Sequence, residues 1–149
     1  MSDFTPDMLH FEDIEVGKRT AYGSYEVTRE EVIEFASKYD PQAFHLDDEA
    51  AAKTHFGRLS ASGWHTAAMT MAMMVENMKN VRQAGLGSPG IDQLRWRKPV
   101  YPGDTLRVES EIIEKRRSKS RREMGIFKSK AEIFNQDDVI VMDLSLIHI

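Results

Sequence analysis

The chain has 149 residues and no cysteine, which excludes a disulfide framework, a thiolate nucleophile and a thiolate metal site. With 41% hydrophobic and 30% charged residues its composition is that of an ordinary globular protein, not of a disordered tail or a fibre. A formal net charge of −4 exerts no global pull toward nucleic acid or anionic lipid.

A chain of this length buries about 70% of the surface its unfolded form exposes. With no repeat, low-complexity tract or long linker, a single domain over residues 1–149 is expected. No apolar run approaches the ~20 residues of a membrane-spanning helix. The start, MSDFTPDMLHFEDIEVG, lacks a basic segment followed by an apolar core, so no membrane partner and a cytoplasmic location are expected.

The first clear element is VTREEVIEFASKYD. Thr28 is placed to cap a helix, Glu31 to complete a capping box and Val27 to staple onto Val32, while Val32, Phe35, Ala36 and Tyr39 recur at helical spacing as its buried face. Pro41 stops this helix. A shorter helix, DDEAAAKTHFG, starts at Asp47 or Asp48 and closes at Gly57. From Gly63, GWHTAAMTMAMMVENMKNV reads as a third helix behind Ser62, apolar on nearly every face through Met74. Such a helix has to be surrounded, and a sheet wrapped around it is the expected shield.

The rest of the chain supplies that sheet. GLGSPG is a loop, IDQLRWRKPV a strand and YPGD a turn, and TLRVESEIIE carries Leu106, Val108, Ser110 and Ile112 on one face. After the basic run KRRSKSRR come EMGIFKSKAEIFN, the QDD turn and VIVMDLSLIHI, so three strands form an antiparallel meander with the C-terminus held in the sheet.

Between the first and third helices lies DPQAFH, residues 40–45. An Asp and a His in a Pro-containing turn either cap the backbone or form an acid–base pair. The chain as a whole resembles the MaoC-like dehydratase family, which includes the (R)-specific enoyl-CoA hydratases. The likeness rests on FEDIEVG, on the block from Phe35 to Thr66 and on RWRKPVYPGDTL, and at its centre Asp40 and His45 keep the family's Asp-to-His spacing of five. Tyr39, Gln42 and Ala43 depart from the usual Gly, Asn and Pro of that motif, differences that bear on the substrate more than on the reaction.

The resemblance implies an α+β hotdog fold and hydration of enoyl-CoA, or the reverse dehydration of 3-hydroxyacyl-CoA. Asp40 and His45 would activate the water, and the Gly63 N–H at the helix N-terminus would hold the enolate oxygen. It also implies at least a homodimer. No cofactor is required, since coenzyme A is part of the substrate. Ser62 either caps the helix or donates a further hydrogen bond to the substrate. His65 is either a core histidine or a pocket-lining one, and the run Met69, Met71, Met73, Met74 and Met78 either fills the core or forms a plastic acyl wall. KRRSKSRR is a solvated hairpin end or, through Arg117 and Lys119, a binding site for the coenzyme A phosphates. Nucleic-acid binding is the weaker third reading of that run. The histidines at 45, 55, 65 and 148 match no metal-ligand spacing. Two other activities stay open: a hotdog thioesterase using Asp40 alone, and a non-catalytic acyl-CoA-binding module.

Overall fold

The computed structural model describes residues 9–79 and 85–149. In chain order it has a 3-10 turn at Phe11–Asp13, strand β1 (Arg19–Glu26), helix α1 (Arg29–Tyr39), a second 3-10 turn at Ala43–His45, helix α2 (Asp48–Ala52) and helix α3 (Gly63–Met78). Strands β2 (Gly90–Trp96), β3 (Thr105–Arg117), β4 (Gly125–Phe134) and β5 (Ile140–His148) follow. The five strands form an antiparallel sheet in the order β1-β3-β4-β5-β2. The absence of a leader in residues 1–8 and the end of the third helix at Asn80 and Val81 are expectations that lie outside the described residues.

The meander is as expected. Its register sets rows of side chains across three strands: Val108, Ile133 and Met142, then Ser110, Ala131 and Leu144, then Ile112, Ser129 and Leu146. Because side chains alternate between faces, these rows make one apolar surface. Met69, Met73 and Met74 of α3 pack into the same core, so most of the methionine run fills space above the sheet. The expected hotdog arrangement of a sheet along one helix is thus present. Ile149 donates to the Gly87 carbonyl at 3.0 Å, which ties the last residue beside β5. Among the described residues no helix is long and apolar enough to cross a membrane.

Several local expectations are corrected. Glu31 N–H donates to Thr28 Oγ1 at 3.3 Å, so the cap forms. The Glu31 carboxylate, however, turns to Tyr25 and His65, which leaves the capping box half made. Tyr39 is 70% exposed, because the last turn of α1 passes beyond the core. Asp47 caps α2 through Ala50 N–H, but α2 ends at Ala52, and the chain reaches Gly57 (φ +74°) through turns. Helix α3 is covered on one side only: Trp64, Met71, Val75 and Met78 remain exposed. Strand β1 has no counterpart in the apolar pattern, because RTAYGSYE is mostly solvent-facing.

Candidate active site

The site forms where the end of α1 meets the start of α3. Helix α1 closes at Tyr39, and Asp40 leaves the helix with φ −154° and ψ 66° while its N–H still donates to the Ala36 carbonyl. Pro41 prevents continuation, and Gln42 N–H donates to the Asp40 carbonyl at 2.8 Å to tighten the turn. The 3-10 turn Ala43–His45 then brings the imidazole back over the carboxylate.

The polar side chains of Asp40, Ser62 and His45 have defined partners here. Asp40 Oδ1 accepts from Gln42 Nε2 at 2.6 Å and Oδ2 accepts from Ser62 Oγ at 2.7 Å. The Ser62 oxygen in turn accepts from Trp64 N–H at 3.3 Å. Ser62 therefore both caps α3 and donates, with its proton committed to Asp40. His45 is buried, and its Nδ1 lies 2.7 Å from the Ser60 carbonyl. A carbonyl only accepts, so Nδ1 carries the proton and Nε2 is the nitrogen left to face Asp40 Oδ2, 3.5 Å away. Burial pushes the Asp40 carboxyl up, but the hydrogen bonds from Gln42 and Ser62, with the attraction of His45 when its ring is protonated, outweigh it, and the net pKa is lowered.

Gly63 opens α3, so its N–H has no acceptor within the helix and sits at the positive end of the dipole. Its carbonyl accepts from Trp96 Nε1 at 2.8 Å, and the indole lies so close that a β-carbon on residue 63 would be 2.6 Å from Trp96 Cε2. Glycine is required here by the indole of β2.

Asp40, His45, Ser62 and Gly63 thus converge. His65 does not join them. Its Nε2 is 3.0 Å from Glu31 Oε1 and its ring stacks on Phe35 at 4.6 Å, so the side chain is turned into the α1–α3 junction. Arg117 and Lys119 do not join them either. They sit at the far end of β3, a strand whose 13 residues span roughly 40 Å. Arg117 is engaged there by Glu12 at 2.8 Å and by the Phe11 ring, and Lys119 is exposed on the hairpin. The histidines are dispersed as well: His55 lies against Phe56 and His148 contacts Ser129.

Three contributors were not among the expected site residues. Ser60 acts through its backbone carbonyl, Gln42 by occupying the second carboxylate oxygen, and Trp96 by reaching Gly63 from another element. All three lie in stretches that carry the family resemblance, but a backbone carbonyl such as that of Ser60 leaves no mark in residue type.

The model of the MaoC like domain matches residues 13–132. The chain belongs to the MaoC-like family. This MaoC-like chain is 34% identical to the MaoC-like dehydratase from Rhodospirillum rubrum, whose crystal structure superposes with a TM-score of 0.80 over 92% of this chain and 94% of that one. It is 36% identical over 109 residues, 72% of this chain and 66% of the relative, to the 3-hydroxybutyryl-CoA dehydratase of Methylorubrum extorquens. The unliganded R-hydratase PhaJ1 from Pseudomonas aeruginosa superposes with a TM-score of 0.71 at 26% identity, over 93% of this chain and 83% of that one. The fold and the hydratase/dehydratase family are therefore those the resemblance implied.

Proposed function

We propose that this MaoC-like chain hydrates enoyl-CoA thioesters and, in reverse, dehydrates 3-hydroxyacyl-CoA. The observation that carries the reading is the fixed His45 tautomer. With Nδ1–H held by Ser60, two proton acceptors, Nε2 of His45 and Oδ2 of Asp40, face one another beside the free N–H of Gly63. A water that donates an O–H to each acceptor is held and activated. The water oxygen bonds to the β-carbon and one water O–H breaks toward the pair. The C=C π electrons move onto the thioester as an enolate held by Gly63 N–H, and the pair returns a proton to the α-carbon. The Methylorubrum relative, by its name, acts on a short 3-hydroxyacyl-CoA, which makes crotonyl-CoA the first substrate to try.

The test follows loss of the conjugated enoyl-thioester absorbance together with free thiol. Wild type removes conjugation without releasing thiol, and Asp40→Asn and His45→Ala each lower the rate by about 10²–10⁴-fold. Thiol release that survives His45→Ala would establish a thioesterase instead. Binding of acyl-CoA with neither signal would establish a non-catalytic module.

The same chain is proposed to act as a homodimer. Trp64, Ala68, Met71, Val75 and Met78 form an exposed stripe on α3 with alternating spacings of four and three. Beside it lies β2, an edge strand that exposes Ile91 and Trp96. A second copy covers both the apolar stripe and the unpaired edge. The phosphate-binding role for Arg117 and Lys119 is not carried into this site, since both lie at the other end of β3.

A further inference from the structure

We propose that Tyr25, Glu31 and His65 form a positioning network that sets the angle between α1 and α3 and thereby aims the Asp40 carboxylate. The proposal rests on the hydratase reading of Asp40 and His45. Glu31 Oε1 accepts from Tyr25 O–H at 2.5 Å and from His65 Nε2–H at 3.0 Å, so one oxygen joins β1, α1 and α3. Burial pushes the Glu31 carboxyl up, but these two hydrogen bonds and the charge of His65 lower it overall, which keeps an anionic acceptor in place.

Two features show that this arrangement is held against local preference. Glu31 stands where its carboxylate would close the capping box on Thr28, yet it gives up that bond for a tertiary one. His65 is 2% exposed and its Nδ1 has no partner, in a helix register otherwise continued by Met69 and Met73. An apolar residue would fill that position with no polar atom stranded.

The consequence lies nine residues further along α1. Asp40 is tied to α3 by Ser62 at the C-terminal end of α1, where one hydrogen bond fixes a point. Glu31 supplies a second tie, about 13 Å away along the helix, and the Phe35–His65 stack lies between them. Two separated ties fix a direction as well as a point. They hold the carboxylate in register with His45 Nε2 and Gly63 N–H.

The experiment compares Glu31→Ala, Glu31→Gln and His65→Phe with wild type in the enoyl-CoA assay. Glu31→Ala and His65→Phe are expected to lower kcat by about a hundredfold, the cost of a small misplacement, with KM unchanged. Glu31→Gln recovers most of the loss, since its amide oxygen still accepts from Tyr25 and His65. In an Asp40→Asn background, Glu31→Ala lowers turnover no further, although it still lowers the melting temperature. A raised KM at unchanged kcat, or losses that multiply with Asp40→Asn, would overturn the proposal. A readout independent of turnover is the NMR signal of the His45 ring, which shifts in Glu31→Ala if the corner moves. A wild type that hydrates no enoyl thioester defeats the reading of the reaction, whereas an unchanged His45 signal defeats the network.

Discussion

Gly63 shows how one atom can be excluded by a neighbour from a distant element. A methyl group on residue 63 would overlap the Trp96 ring, and moving the indole breaks its bond to the Gly63 carbonyl. Gly63→Ala is therefore expected to cost about 1–3 kcal/mol in urea melts, the usual range for overpacking. The cost becomes smaller when Trp96 is also changed to Ala, because the clash has been removed. Gln42 provides a second case. Its amide lowers the Asp40 carboxyl, so Gln42→Ala raises it, and the acid limb of the kcat/KM profile moves to higher pH. A limb unmoved in Gln42→Ala would show that Asp40 is not the group that titrates there.

Among the elements, β1 carries more than its sequence announces. Its bulge between Tyr22 and Tyr25 passes Gly23 (φ +91°), where Met73 Sδ lies 2.7 Å from the place a β-carbon would take, so α3 seats into the strand. Tyr25 then reaches Glu31. Its hydroxyl is raised from 10.0 to about 12, first by burial and then by the hydrogen bond and charge of Glu31. Since the folded state holds this proton more tightly, the associated stability is complete below about pH 10 and is lost as pH rises through about 12. An absorbance titration of the tyrosines should show a late-ionising component that shrinks in Tyr25→Phe. In β3, Leu106 is fully buried, and Leu106→Ala is expected to cost about 2–5 kcal/mol in the same urea melts. Helices α1 and α3 were legible from Thr28, Ser62 and their apolar spacing because a cap is a contact within three residues. Strand β1 was not, since its exposed faces carry no alternation and its place is set by pairing with β3.

For the molecule as a whole, the proposed dimer is tested on the exposed stripe of α3. Val75 lies in that stripe and away from Asp40 and His45. Val75→Glu is expected to shift sedimentation from dimer to monomer and to lower the melting temperature at low protein concentration, because association and stability are then linked. If wild type already sediments as a monomer, the exposed stripe has another use.

Order along the chain was enough to establish the meander, the caps of α1 and α3 and the apolar character of α3, while the family resemblance pointed to the Asp40–His45 pair. Each of these depends on spacing within one element or one turn, and short-range spacing is written directly in residue order. Which groups meet across elements was decided only in three dimensions. The Ser60 carbonyl selects the His45 tautomer, Trp96 occupies the space above Gly63, and Glu31 leaves its own helix cap for His65. The basic run looked suited to phosphate until β3 carried it away from the site. The physical reason is the same in each case: hydrogen bonds and van der Waals contacts act over a few ångströms of space, and the fold, not the sequence interval, sets which atoms come that close.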